Sequence, residues 1–304
     1  PHPTHQATVK QQQEKQLQQT QNTQPAIGVV SLSLLAILQQ LGVNADCVAG
    51  HSFGEVVALH AAGVYDQASC FQLSKSRGEV MAAASQSTSG AMTAVSIDQN
   101  TLQTLMNEDK SDVTIANINA PNQVVISGKT ESIEQIEKHL KAKSISFKRL
   151  PVSTAFHSAI VSSAANAFAK SLKTVTWKTA QLPVYSNTSG DVYPKTVAKM
   201  QQLLAHQLAE PVQFQTIIEK MYADGVRTFV EVGPGEVLTK LTQKNLTGKP
   251  HQSLSLDDTL NGLAQLFVSG VDMNLQPLWE NVRLFADEKP KTPAHAVNIN
   301  GANY

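Results

Sequence analysis

A glycine-flanked serine at residues 50–54, with the sequence GHSFG, constrains the fold more than any other segment. A short apolar run, DCVAG, leads into it, and the apolar, Ala-rich segment VVALHAAGV follows it. A G-x-S-x-G pattern between a strand and a helix is typical of a sharp turn that exposes its serine, here Ser52. Such a turn favours flanking residues without side chains, here Gly50 and Gly54, because other backbone passes close by. The pattern therefore predicts an α/β protein with Ser52 at the start of a helix.

The start of that helix has a chemical consequence for Ser52. Free N–H groups and the positive end of the helix dipole point at this position, where they stabilise a forming anion. The alternative is that the Ser52 hydroxyl only caps the helix. A nucleophilic serine needs a base, and the chain has nine histidines. His157 is the candidate because it follows an apolar strand end, in a loop of the kind that carries catalytic groups.

Composition narrows the class of protein. Of the 304 residues, 41% are apolar, which suffices for one large domain or for two of unequal size. The 24 basic residues balance the 24 acidic ones, so nucleic acid and an anionic membrane are not expected partners. Two cysteines exclude a disulfide scaffold and a cysteine-rich zinc site, and no metal site is predicted. Without an apolar run of ~20 residues or a signal-peptide core, we expect a cytoplasmic protein, or a piece of a longer one.

The order of the apolar segments predicts an α/β fold with a large and a small subdomain. Residues 26–41 are typical of a buried helix. Residues 91–152 alternate in the order β-α-β-β-α-β, the ferredoxin-like pattern, and the strands LPVYSN and TFVEVG follow with helices between them. The predicted division is a polar, Gln-rich lead-in at 1–24, a large α/β subdomain at 25–90 and 153–285, the small subdomain at 91–152, and a linker or tail at 286–304.

Five motifs in a shared order resemble one known family. GHSFGE at 50–55 is similar to the GHSxGE elbow of malonyl-CoA:acyl carrier protein transacylases and of the acyltransferase domains of polyketide and fatty-acid synthases. The other four resemble the family's Arg-Gly segment, its AFH histidine motif, its H/Q-L-x-x-P-V-x-F segment and its EVGPG turn: Arg77-Gly78, 155–157, 206–214 and 231–235. The resemblance covers about residues 24–280 and implies an α/β-hydrolase-like large subdomain with the ferredoxin-like subdomain inserted.

The resemblance implies a mechanism through an acyl-serine. Ser52 is the expected nucleophile, and His157 is the expected general base and then general acid. The main-chain carbonyl of Gln207 is expected to orient the imidazole in place of an acid, and the Phe53 N–H to donate to the oxyanion. The implied reaction moves a malonyl group from malonyl-CoA to the phosphopantetheine thiol of an acyl carrier protein, with no permanently bound cofactor.

Further residues are expected to bind the substrate. Arg77 matches the free carboxylate of a malonyl group, because a planar guanidinium fits a carboxylate; its alternative is a solvated charge on a helix. Phe156 is expected to favour malonyl over the branched methylmalonyl, by the ~1–3 kcal/mol that one carbon is worth, or else to be a core residue. His51, Asn117 and Asn119 are further candidates for substrate contact, and turn hydrogen bonding is the alternative for the two asparagines.

The chain departs from the family in one respect: it has no G-Q-G-S-Q motif, whose Gln backbone supplies a second oxyanion donor in the family. Loss of one such donor costs about a hundredfold or more in rate. The segment at 262–272 and the linker after it resemble a multidomain synthase, so neighbouring synthase domains are expected partners. Together with TAFHS at 154–158 and the Gln-rich lead-in, this segment most resembles a bacterial polyunsaturated fatty-acid synthase. Two alternatives stay open: a serine hydrolase or editing acyltransferase, and an inactive docking module of a synthase.

Overall fold

The computed structural model describes residues 7–87, 90–152, 155–157 and 162–280. Its strands are β1 Val48–Ala49, β2 Gly90–Val95, β3 Val113–Ala120, β4 Gln123–Lys129, β5 Phe147–Arg149, β6 Val184–Tyr185, β7 Thr228–Glu231 and β8 Gln252–Ser255. Its helices are α1 Ala7–Leu17, α2 Thr20–Gln40, α3 Gly54–Ala61, α4 Gln67–Ser87, α5 Gln99–Asp109, α6 Thr130–Ala142, α7 Ser162–Leu172, α8 Val197–His206, α9 Phe214–Ala223, α10 Val237–Asn245 and α11 Thr259–Val268. None of the helices in this described part combines the length and apolar character that a membrane span requires. The predicted linker or tail at 286–304 lies outside the described residues.

The helical structure begins earlier in the chain than the sequence indicates. The predicted lead-in at 1–24 contains α1 and the first residues of α2, which begins at Thr20. Gln24 is only 5% exposed, because α2 packs along α4. The two helices approach closely at Gly78 of α4, where an added Cβ would lie 2.9 Å from the Cα of Gln21. The boundary at 24 therefore falls inside a packed helix, and its glutamine belongs to the fold.

A four-stranded antiparallel sheet has the order β3-β4-β2-β5. Its elements follow one another along the chain as β2-α5-β3-β4-α6-β5. Ala91 and Val95 of β2 pack with the buried residues of α5 and α6, whereas Met92 packs on the other side with Phe156. Because side chains alternate along a strand, one face of the sheet is covered by helices and the other is turned toward the segment that carries His157.

The remaining strands form two parallel pairs, β1 with β6 and β7 with β8. Within the described residues the two pairs share no hydrogen bond, so these strands do not form one continuous sheet. A cavity of about 720 Å³ opens between them and is lined by β1, β7 and the buried face of α2. The unpaired edges of β1 and β7 therefore face a common space.

Parallel pairing of β1 with β6 determines where the two following loops meet. Ala49 aligns with Tyr185 at the carboxyl ends of the two strands. The GHSFG segment begins directly after β1, and Asn187 follows β6 by two residues. Since the carboxyl ends of parallel strands lie at the same edge of a sheet, ligand sites form there.

Candidate active site

Ser52 occupies a tight turn between β1 and α3. Its φ is 50°, in the left-handed region that residues other than glycine rarely adopt. Asn187 holds the turn on both sides: its Oδ1 accepts from the Ser52 N–H at 2.5 Å, and its Nδ2 donates to the Gly50 carbonyl at 2.5 Å. The strand, turn and helix follow one another as the sequence predicts. A sparsely populated backbone conformation fixed by polar contacts is a frequent feature of functional sites.

The two glycines that flank Ser52 have different surroundings. A Cβ added to Gly50 would lie 2.0 Å from the carbonyl carbon of Gly54 and 2.3 Å from the nitrogen of Glu55. Only glycine fits there without movement of the backbone. A Cβ added to Gly54 would meet nothing within 4 Å outside its chain neighbours and its own helix. The expectation that both positions need glycine is therefore right for Gly50 and wrong for Gly54.

His157 lies against the candidate nucleophile. Its Nε2 is 2.8 Å from Ser52 Oγ, and its Nδ1 is 2.9 Å from the carbonyl oxygen of Gln207 and 3.0 Å from that of Glu210. Carbonyl oxygens only accept hydrogen bonds, so Nδ1 carries the ring proton and Nε2 presents its lone pair to the serine hydroxyl. The imidazole therefore has the tautomer that a base for Ser52 requires, and two carbonyls fix it.

The environment also sets the charge of this imidazole. Burial lowers the pKa of His157 from 6.5 to about 3, and the positive charge of Arg77 and the neighbouring His51 lower it as well. The two carbonyl hydrogen bonds act in the opposite direction but are the smaller influence. His157 is thus neutral at physiological pH, which is the form that takes up a proton.

The His157 ring is expected to stay neutral in the folded protein down to about pH 4, because its pKa there is about 3. An unfolded chain takes up this proton near pH 6.5. The buried ring therefore lowers the free energy of unfolding as the pH falls from 6.5 toward 3. Imidazole ¹⁵N NMR measures the titration, with His157→Gln identifying the signals. A midpoint near 6.5 in the folded protein would contradict this expectation.

Arg77 of α4 points into the site rather than into solvent. It is 1% exposed, which contradicts the alternative of a solvated helix charge. Its Nη2 donates to Gln207 Oε1 at 2.9 Å and lies 3.3 Å from Ser52 Oγ, and its Nη1 donates to Gln24 Oε1 at 3.0 Å. Burial lowers the pKa of Arg77 to about 10, so the guanidinium stays charged at neutral pH. Its buried Nε has no hydrogen-bond partner within the described residues.

Gln207 connects these groups through its main chain and its side chain. Its carbonyl oxygen accepts from His157, as the family resemblance implies, and its side-chain oxygen accepts from Arg77. Its Nε2 donates to the Ser52 carbonyl at 2.6 Å and to Glu55 Oε2 at 3.2 Å. The residue is fully buried. One glutamine therefore touches the candidate nucleophile, base and cation.

The two phenylalanines take different positions. Phe53 directly precedes α3, and no acceptor for its N–H is found in the part of the chain that the structure describes. That donor is free for an oxygen bound beside Ser52. Phe156 is half-buried and packs both on the helical core around α3 and α4 and on the open face of the four-stranded sheet. Phe156 therefore packs as a core residue between the helices α3 and α4 and the four-stranded sheet. Its contact with a substrate stays a prediction.

Of the remaining three candidates, His51 belongs to the GHSFG turn and Asn119 contacts it. His51 Nε2 is 2.8 Å from Asn119 Oδ1, and the His51 ring packs edge-on against Phe214 at 5.3 Å. Asn117 and Asn119 are both buried and both belong to β3. The alternative of turn hydrogen bonding is therefore wrong, because the strand continues to Ala120 and the turn begins only after it. Asn119 joins the four-stranded sheet to the elbow.

Three residues of the site have no role in the sequence prediction: Gln24, Glu55 and Asn187. Gln24 lies in a Gln-rich segment, and such a polar composition does not predict a buried residue. Asn187 ends the predicted strand segment LPVYSN, which is a usable signal, but its importance depends on the pairing of β1 with β6. Within the described residues no group of three or more His, Cys, Asp or Glu side chains can hold a metal ion.

Comparison with known proteins identifies relatives of this chain. The acyl transferase domain family matches residues 5–262. A malonyl CoA-acyl carrier protein transacylase of Synechocystis sp. is 38% identical over 252 residues, which cover 82% of this chain and 83% of that protein.

Solved structures show the same mixed α/β fold. The acyltransferase domain from the second module of the salinomycin polyketide synthase is 30% identical with a TM-score of 0.79, over 89% of this chain and 66% of that one. A malonyl-transacylase in complex with its type II polyketide synthase acyl-carrier protein is 30% identical with a TM-score of 0.79, over 84% of this chain and 83% of that one. Because the family match spans most of the sequence, this chain belongs to the acyl transferase domain family.

Proposed function

We propose that the chain transfers a malonyl group from malonyl-CoA to the phosphopantetheine thiol of an acyl carrier protein, through an ester on Ser52. One observation carries the proposal: Ser52 Oγ lies 2.8 Å from a neutral His157 and 3.3 Å from a buried guanidinium of Arg77. The first contact activates a nucleophile, and the second offers a cation to an acyl group that carries a negative charge. The names of the relatives, malonyl CoA-acyl carrier protein transacylases, agree with this reaction.

The first half-reaction forms the acyl-serine. His157 Nε2 takes the proton of Ser52 as Oγ attacks the thioester carbonyl carbon, and the negative charge moves to the carbonyl oxygen. The free N–H of Phe53 at the start of α3 donates to that oxygen. The carbon–sulfur bond then breaks, and His157 returns its proton to the departing CoA sulfur. Hydrogen bonds from Nδ1 to the carbonyls of Gln207 and Glu210 stabilise the transient imidazolium.

The second half-reaction runs the same chemistry in the other direction. His157 takes the proton of the phosphopantetheine thiol, and the sulfur attacks the ester carbonyl of acyl-Ser52. The ester bond breaks, and Oγ of Ser52 recovers its proton from His157. The chain's own residues therefore account for every proton transfer, with no resident cofactor in the scheme.

Arg77 provides the selectivity for malonyl in this proposal. A bound carboxylate would replace no existing ion pair, because the present partners of the guanidinium, Gln24 and Gln207, are neutral. Charge-assisted hydrogen bonds to a guanidinium are roughly twice as strong as neutral ones, and the planar fork suits a carboxylate. Phe156, directly before His157, would crowd an acyl group with a branch at its α-carbon.

Arg77→Ala is expected to lower the rate of malonyl transfer at least ~30-fold, since removal of one partner of a buried charge pair costs roughly 2–5 kcal/mol. Acetyl transfer, which involves no carboxylate, is expected to stay unchanged or to rise. Lys75→Ala on the exposed side of the same helix is the matched control. Competition between malonyl-CoA and acetyl-CoA, quantified by intact mass of the acylated protein, gives the preference. An unchanged preference for malonyl in Arg77→Ala rules out the proposed role.

The proposal also includes the division of the chain into subdomains and the type of synthase in which it works. The β-α-β-β-α-β unit between Gly90 and Arg149 supports a ferredoxin-like subdomain at 91–152, inserted into an α/β-hydrolase-like subdomain at 25–90 and 153–285. The resemblance of the C-terminal sequence supports a multidomain, cytoplasmic setting of the polyunsaturated fatty-acid synthase type, with neighbouring synthase domains as partners. Expression together with those domains, followed by co-purification, tests this setting; a chain that never associates with them contradicts it.

The cavity between β1 and β7 bears on the missing second oxyanion donor. In the family that donor comes from a G-Q-G-S-Q segment that follows a strand, and this chain has no such motif. Within the described residues, β1 and β7 each have one unpaired edge on a cavity of about 720 Å³, and a further strand pairs along such an edge. We therefore infer that a strand in this cavity completes the sheet and brings the second donor to Ser52.

A further inference from the structure

Glu55, in the first turn of α3, is a buried carboxyl group that the transfer steps above do not use. It is fully buried. Its Oε1 accepts from the Tyr193 hydroxyl, and its Oε2 accepts from the Asn187 N–H at 3.1 Å and from Gln207 Nε2 at 3.2 Å. These donors are neutral, as is the Ser186 hydroxyl, which also hydrogen-bonds this carboxyl group. Burial raises the pKa of Glu55 to about 7, although these hydrogen bonds lower it. Such a group is costly to bury, so stability alone does not account for it.

The contact with Gln207 determines which way that amide points. Three oxygens near Gln207 Nε2 accept hydrogen bonds there: the Ser52 carbonyl at 2.6 Å, the Glu55 carboxyl at 3.2 Å and Asn187 Oδ1 at 3.5 Å. The amide nitrogen must therefore face them, and the amide oxygen must face Arg77 Nη2 at 2.9 Å. A flipped amide would set its NH₂ group against a guanidinium, donor against donor. Glu55 thus helps to fix the acceptor that holds Arg77.

We propose that Glu55 is a positioning residue: through the Gln207 amide it fixes the Arg77 guanidinium where the free carboxylate of an acyl group meets it, and so it contributes to selectivity for carboxylate-bearing acyl groups. The inference rests on the proposed function, because it takes Arg77 as the carboxylate-binding cation. Glu55 itself touches no reacting atom. Its effect on selectivity exists only while Arg77 is present.

The test compares acyl selectivity across a set of single and double variants. Glu55→Ala removes the acceptor, and Glu55→Met removes it while keeping the volume of the side chain filled. Glu55→Gln retains an acceptor oxygen for the Gln207 amide. Tyr193→Phe is the matched control, since it removes a hydrogen bond from the opposite oxygen of the same carboxyl group. The readout is the ratio of kcat/KM for malonyl-CoA to that for acetyl-CoA, with the thermal midpoint recorded for each variant.

Glu55→Ala and Glu55→Met are each expected to lower the malonyl-to-acetyl ratio about tenfold, in the range of measured coupling between neighbours in one hydrogen-bond network. Glu55→Gln and Tyr193→Phe are expected to stay within about threefold of the wild type, because the side chain at position 55 still offers Gln207 an acceptor in both. The double variant Glu55→Met/Arg77→Ala is expected to match Arg77→Ala alone, since Glu55 acts through Arg77. If Glu55→Ala does not fold, the volume-conserving Met variant supplies the result.

The outcomes separate this inference from the proposed function. A ratio that collapses in Arg77→Ala but stays at the wild-type value in Glu55→Met overturns the role of Glu55 and leaves the proposed function intact. An equal loss of selectivity in Tyr193→Phe also overturns it, because the effect would then be general loosening of the site. A ratio that Arg77→Ala does not change removes the basis of both.

Discussion

Ser52→Ala is expected to abolish the malonyl adduct that forms on brief exposure to malonyl-CoA, and His157→Ala is expected to slow its formation by about 10²–10⁴-fold. The Ser52 hydroxyl is the attacking group, so no adduct forms without it. Without His157 the hydroxyl keeps its proton, while the N–H of Phe53 and the helix dipole still stabilise the oxyanion. Intact mass spectrometry detects the adduct directly as the added malonyl mass on the chain.

The same measurement separates the proposed transferase from its two rivals. A serine hydrolase or editing acyltransferase would release free malonate without a carrier protein, so the adduct would decay in water alone. A docking module would bind carrier protein and show no adduct. His60→Ala is the control for loss of a histidine outside the site, because His60 Nδ1 hydrogen-bonds the Tyr65 carbonyl and not a group of the site. An adduct of equal amount in Ser52→Ala and wild type excludes Ser52 as the nucleophile.

If the wild-type chain forms no adduct, the cavity beside β1 suggests a second experiment. The experiment is then repeated on the chain extended at its N-terminus by the G-Q-G-S-Q segment of a transacylase relative. If the strand and its oxyanion donor are what the chain needs, the adduct forms about a hundredfold or more faster on the extended chain. An adduct that forms on neither chain supports the docking module and contradicts the proposed function.

Local elements of the fold were predictable because their signals are local. The helix α5 begins after Asp98, whose side chain accepts from the Thr101 N–H, and the short, nearly continuous apolar run of β2 is typical of a strand buried on both faces. Of the predicted strand LPVYSN, only the two residues of β6 form a strand, because only those two residues pair with β1. Strand length depends on a partner that lies more than a hundred residues away in the chain, and no local pattern contains it.

Prediction of the site is limited in the same way, because residues far apart in the chain form it. Ser52 and His157 are 105 residues apart and meet only in the folded chain. The order of the family motifs pointed to both of them, and to Arg77, without any geometry. Gln24 was not predicted because the residues before it are polar, whereas its burial comes from its contacts with Arg77 and Met81 of α4. Glu55 is the last residue of the GHSFGE motif, but its role depends on Gln207, which only tertiary structure brings within reach.

Gly50→Ala is expected to lower the free energy of unfolding by more than the roughly 1–3 kcal/mol of ordinary overpacking. The added methyl carbon would lie 2.0 Å from the carbonyl carbon of Gly54, which belongs to the backbone of α3 and cannot rotate away. The chain must then move α3 relative to β1, and this also breaks the Asn187 contact that holds Ser52 in its left-handed conformation. Urea unfolding followed by circular dichroism measures the loss.

Gly54→Ala is the matched control, four residues away in the same turn. Its added methyl meets nothing within 4 Å outside its chain neighbours and its own helix, and alanine favours a helix over glycine by up to about 1 kcal/mol. Its stability is therefore expected to equal or exceed that of the wild type. Equal stabilities for the two variants would show that the backbone of residue 50 does not pass so close to α3. The elbow would then lack the close packing that fixes Ser52 beside His157, and its conformation would need another cause.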